Sequence, residues 1–137
     1  GGAALAAWGI AAALLCARPV AHWIVIVAGA EFAVYCLVIL FVTDNFMFAI
    51  VNYLPPALAL LLALIFLWRR TRERQPAIGA IGIGLMFVAS WAQQQRFALH
   101  PVYFNHNALY HLAGAAALLP IFVAAKWLAT TTAVEGV

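Results

Sequence analysis

Charge is what this chain has least of. Only 8% of its 137 residues are Asp, Glu, Lys or Arg, against 68% hydrophobic residues, and the mean hydropathy is +1.04. A water-soluble domain with so few charges could not cover its own surface, which leaves a polytopic membrane protein as the class. Cysteine is nearly as scarce. Cys16 and Cys36 each stand alone in an apolar run, where cysteine behaves as a small hydrophobe, so neither a disulfide nor a cysteine metal site is expected. An initiator Met and a basic n-region are also lacking ahead of the first apolar run, so no intact signal peptide is expected; either the chain was processed or residues precede Gly1, and the short first segment favours the second. No internal repeat and no stretch polar enough for a soluble domain is present.

The formal charge of +3 would suit a nucleic-acid partner only if the cations were spread over a surface. Instead, four of the seven basic residues are packed into Arg69-Arg70-Thr71-Arg72-Glu73-Arg74. A short basic loop between apolar segments is a positive-inside signal, and no nucleic acid is expected as a partner.

Five apolar segments follow one another: 3–17, 20–42, 46–68, 76–95 and 105–129, with 130–137 as a short polar tail. The first is short of the roughly 30 Å of a bilayer core; the others are long enough to cross it. Arg18-Pro19 separates the first pair of segments and Thr43-Asp44-Asn45 makes a polar turn after the second. Pro55-Pro56 and Pro120 fall inside segments three and five, where each proline removes a backbone hydrogen bond and favours a kink. Gly79, Gly82 and Gly84 open segment four, and Ala80 with Gly84 has the small-xxx-small spacing of a helix-packing face. The expected fold is an all-α, up-and-down bundle of about five transmembrane helices in one domain.

Placing residues 69–74 in the cytoplasm of a bacterial inner membrane also places Arg18 and Lys126 there and leaves only Arg96 outside. The C-terminus is then cytoplasmic. With that orientation Glu31, Asn52, Ser90, Gln93, Gln94, Asn107 and His111 all fall at mid-membrane or in its outer half. A polar pocket open to the non-cytoplasmic side is the natural expectation, because ionisable and polar groups inside a bilayer are costly without partners. Its lining would include Glu31, Asn52, Gln93 and Tyr110.

The densest chemistry lies in Phe104-Asn105-His106-Asn107-Ala108-Leu109-Tyr110-His111, at the head of the last segment. Asn107 and His111 are one helical turn apart on one face, whereas His106 and His111 stand roughly 140° apart around a helix. The i, i+4 spacing of a two-histidine metal site is therefore absent. His111 is open to three readings: a hydrogen bond between helices, a metal ligand or catalytic group, and a ligand to a pigment or haem. Asn105 and Asn107 suit a helix cap. A third metal ligand would have to come from His100, Glu31 or a segment outside this sequence, since His22 is at the wrong depth.

From Asn52-Tyr53-Leu54-Pro55, through Trp91-Ala92-Gln93-Gln94 and Leu99-His100-Pro101, to Phe104-Asn105-His106-Asn107 with Leu109-Tyr110-His111, the sequence resembles a bacterial membrane-protein family related to the seven-helix superfamily of alkaline ceramidases and progestin/adiponectin receptors. The resemblance covers about the last 85 residues closely and the first 50 in hydropathy alone. It implies that the chain is the C-terminal part of a seven-helix bundle. It further implies a zinc ion held by His111, with His106 as a second ligand, and hydrolysis of a lipid amide or ester. In that role Glu31 or a bound water would act as base and Asn52, Gln93 or Tyr110 would donate to the carbonyl. A second reading from the residues needs no site: a non-catalytic accessory subunit that docks on a larger membrane protein complex through its Gly/Ala-rich helix faces.

Overall fold

The structure, a computed structural model, describes residues 2–42, 46–100 and 103–135. These form five helices: α1 (Gly2–Leu15), α2 (Arg18–Phe41), α3 (Phe46–Thr71), α4 (Arg74–Gln94) and α5 (His106–Glu135). The expected all-helical class is what is found, and the expected turn at residues 43–45 lies outside the described residues. Four helices, α2 to α5, are long and apolar enough to cross a membrane, and α1 is a shorter apolar helix. At 1.5 Å per residue the 24 residues of α2 rise about 36 Å, more than the hydrocarbon thickness of a bilayer. Large apolar side chains such as Leu40, Phe41, Leu119 and Phe122 stay exposed on these helices. That outward apolar surface is what lipid, and not water, would solvate.

The chain folds as two compact units, residues 1–63 and 64–137, with the division inside α3. In the first unit α1 packs on α2. The contact face of α1 is small: Ala4, Ala7, Ala11 and Ala12 are buried, as is Ala28 of α2. Alanine loses no side-chain entropy in a helix and lets two backbones approach, so one residue type serves both the helix and its packing. Ala17 is extended and its carbonyl accepts the first bond of α2 from the Ala21 N–H at 2.9 Å. Pro19 then falls in the first turn, where its missing N–H breaks no helical bond.

Both Pro55 and Pro56 lie within α3. Neither ring offers a hydrogen to the carbonyl one turn earlier, so the carbonyls of Val51 and Asn52 lose their usual helical donors. Asn52 is itself the buried polar residue among those described, at 8% exposure, and Pro56 is fully buried.

In the second unit α4 packs along α5. The pairing is antiparallel: Gln93 meets Asn107, a Cβ on Gly114 would meet Met86, and the Cβ positions of Gly82 and Gly79 face Ala117 and Ala124. Here the structure corrects the packing face expected from sequence. Gly79 and Gly82 are buried, whereas a Cβ added at Gly84 would meet nothing within 4 Å. At about 100° per residue, Ala80 and Gly84 both lie about 160° from Gly82 around the helix, on the side turned away from α5. Pro120 seats its ring against Gly82, where a Cβ would come within 3.0 Å of the proline Cγ.

The helix α5 also runs on to Glu135, through residues expected to be a polar tail. Thr130 and Thr131 donate their hydroxyls to the Trp127 carbonyl at 2.8 and 2.6 Å. These bonds satisfy both hydroxyls within the helix, so neither threonine needs a polar partner elsewhere.

Candidate functional site

Described residues on either side of positions 101 and 102 meet at the end of the α4–α5 pair. His100 and Phe104 form an antiparallel bridge, with both backbone hydrogen bonds at 3.1 Å. Arg96, at φ 53°, sits in the left-handed region and turns the chain out of α4. Asn105 then starts α5. Its side-chain Oδ1 accepts the Ala108 N–H at 2.9 Å and its carbonyl accepts the Leu109 N–H at 3.0 Å, which is the capping role expected for it.

This cap fixes where α5 begins and so brings the polar cluster into its first turns. Gln93 donates from Nε2 to Asn107 Oδ1 at 3.4 Å, a long bond that ties the end of α4 to the start of α5. Beside it a cavity of about 360 Å³ opens between the two helices. Gln93, His106 and Tyr110 line one end, with Phe97 next to them. Leu85, Val88, Ala89, Ala113 and Ala116 line the rest. The antiparallel pairing sets this polarity: residues near 93 and 107 are at the loop end, and residues near 85 and 116 are two turns deeper. Leu85, Val88 and Phe97 are themselves exposed, so the cavity is a groove open along its side.

The expected site residues are therefore sorted in two. Gln93, Tyr110 and His106 come together on the groove. Glu31 is exposed on α2 and lines a different pocket, within the first unit, and Asn52 is buried in the α3 part of that unit. His111 is exposed, its ring 5.4 Å from that of Tyr110, and does not line the groove. Phe97 is a groove residue that sequence reading missed, because it lies beyond the end of the apolar segment. Its signal would have been an aromatic placed just outside a helix whose last turn is amide-rich.

The histidines also decide how far the zinc reading fits. A structural or catalytic zinc takes at least three protein donors. Among the described residues no group of three His, Cys, Asp or Glu side chains is placed to hold a metal ion. His106 turns to the groove while His111 is exposed, as their five-residue separation requires. Nδ1 of His100 accepts the Tyr103 N–H at 3.2 Å. The ligand set implied by the resemblance does not assemble from the described residues.

A family model described as a family of unknown function, DUF6962, matches residues 1–130, and the chain belongs to that family. No curated protein matches the chain, and no solved structure does.

Proposed function

We propose, for this member of a family of unknown function, that the chain is a multi-pass protein of the bacterial inner membrane that binds one lipid molecule in the α4–α5 groove. The acyl chain lies along Leu85, Val88, Ala113 and Ala116, and the lipid's ester or amide linkage sits at the loop end. There the Tyr110 hydroxyl and the His106 ring can donate to a carbonyl, and the Gln93–Asn107 pair can exchange its long internal bond for one to the ligand. The observation that carries this reading is the polarity of the groove: hydrogen-bonding side chains gather at one end, and the remaining lining is nearly all carbon. No charged side chain lines it, so the linkage region is favoured over a charged headgroup as the part recognised. Residues 69–74 face the cytoplasm in this reading, and the groove's polar end lies toward the opposite side.

The lipid class agrees with the amide or ester lipid that the sequence resemblance implies.

A test uses the full chain in vesicles of phosphatidylethanolamine that contain a diacyl lipid with a photoactivated diazirine on its chain. Crosslinks concentrated on residues 85–97 and 106–116, and displaced by Ala113→Phe, are the expected result. Labelling spread evenly over every exposed apolar face, Leu119 and Phe122 included, would show that the groove is ordinary lipid-facing surface and would end the proposal.

A further inference from the structure

The first unit holds a second pocket, of about 320 Å³, between α1 and α2. Its lining includes Trp8 of α1, and Trp23, Val27, Ala28 and Glu31 of α2. The residues on α2 recur at three- and four-residue spacings, so they form one stripe along the helix with a tryptophan at one end and the carboxylate at the other. Trp8 lines the pocket, and its Nε1 is buried without a hydrogen-bond partner among the described residues. Apart from Glu31 the wall is almost wholly carbon.

Glu31 lies near the middle of a helix long and apolar enough to cross a membrane. No hydrogen bond or ion pair joins it to another described residue. The nearest basic side chains on its own helix are no help. At 1.5 Å per residue, His22 is about 13 Å along the axis and Arg18 about 20 Å. A carboxylate on such a helix demands a compensating group, and no described residue of the first unit makes an ion pair or hydrogen bond with it.

We propose that this pocket binds a lipophilic monovalent cation, an amine or quaternary onium ion, with Glu31 as its counter-charge and Trp8 and Trp23 as its aromatic walls. Three features select that chemistry together. The carboxylate selects a positive charge. Tryptophan rings attract cations, through the negative face of the π system, more strongly than other aromatic rings do. The carbon lining requires that the cation carry apolar substituents instead of a tight hydration shell, which excludes small metal ions. The site rests on the membrane placement argued above but on none of the residues of the α4–α5 groove.

The experiment is binding of tetraphenylphosphonium to the full chain in a neutral detergent, by equilibrium dialysis, beside triphenylphosphine oxide as an uncharged analogue. The expected result is one saturable site for the cation, with the uncharged analogue weaker by about tenfold or more, the scale of one lost charge-assisted contact. Glu31→Gln should reduce cation binding by a similar factor, and Glu31→Asp should retain most of it. Ala28→Leu, which fills the pocket and leaves the carboxylate in place, should also abolish binding. Circular dichroism and a monodisperse elution profile for each variant keep misfolding apart from loss of the site. Equal binding of the charged and uncharged probes, or cation binding unchanged in Glu31→Gln, would overturn the proposal. So would a wild-type dimer that binds no cation and dissociates in Glu31→Gln, which would assign the carboxylate to contact between copies. The lipid crosslinking pattern on α4 and α5 should be the same in wild type and Glu31→Gln, so failure of one site is separable from failure of the other.

Discussion

Gly79 faces Ala124 so closely that a Cβ on the glycine would stand 2.5 Å from the alanine Cβ and 3.2 Å from Leu64 Cδ1. One turn further along α4, a Cβ on Gly82 would lie 2.8 Å from Ile121 Cγ1 and 3.0 Å from the Ala117 carbonyl oxygen. The two helices are held at a distance that only hydrogen at these positions allows. The groove lies between the same two helices, nearer their loop end.

Gly79→Ala and Gly82→Ala should each destabilise the second unit by about 1–3 kcal/mol, the usual cost of overpacking a filled contact. Gly84→Ala, into open space, should be neutral or stabilising by up to about 1 kcal/mol through helix propensity. Thermal unfolding of the three variants in detergent checks this. Equal effects at Gly82 and Gly84 would contradict the close contact.

Asn105→Ala removes the bond to the Ala108 N–H and should cost about 1 kcal/mol. The loss should be local. Hydrogen exchange at Ala108 is expected to speed up, while the amides around Ala117, where α5 packs on α4, keep their protection.

Arg72 adopts φ 61° between α3 and α4, a left-handed conformation that suits glycine better than an L side chain. Arg72→Gly should raise stability by roughly 1 kcal/mol, a shift visible as a higher midpoint in thermal unfolding. An unchanged or lower midpoint would mean that the guanidinium has contacts worth as much as the strain.

Of the two neighbouring histidines, His106 lines the groove and His111 is exposed. His106→Ala should weaken lipid crosslinking at the groove by about three- to tenfold, the worth of one hydrogen bond, and His111→Ala should leave it unchanged. The opposite order would place the lipid on the outer face of α5.

Topology gives the last check. An alkaline phosphatase fusion within residues 69–74 should be inactive and one at Leu99 active, since positive loops are retained in the cytoplasm. Activity in the reverse order would invert the orientation argued for the groove.

Much of this molecule is legible in its residue order. Runs of apolar residues broken at Arg18-Pro19, Thr43-Asp44-Asn45, Arg72-Glu73 and between Gln95 and Asn105 mark out five helices and their approximate ends, because a bilayer-length apolar run has few ways to satisfy its backbone except by helix. Asn105 reads as a cap for the same local reason: its side chain is within reach of an N–H three residues on. Where the sequence leads one to expect a tail from Thr130, the hydroxyls turn back to the Trp127 carbonyl, a local bond that composition alone does not reveal.

The sequence by itself determined that the chain is helical, apolar and asymmetric in charge, since those properties depend on each residue and its neighbours within one turn. Only the tertiary structure decided which glycines carry the helix contact, that Gln93 reaches Asn107, that His106 and not His111 lines the groove, and that Glu31 shares a pocket with two tryptophans. Each of those depends on the rotation of one helix about its own axis, or on what a neighbouring helix sets beside it. In a chain whose helices are apolar on nearly every side, hydrophobic patterning leaves that rotation undetermined, and close packing of small residues sets it instead.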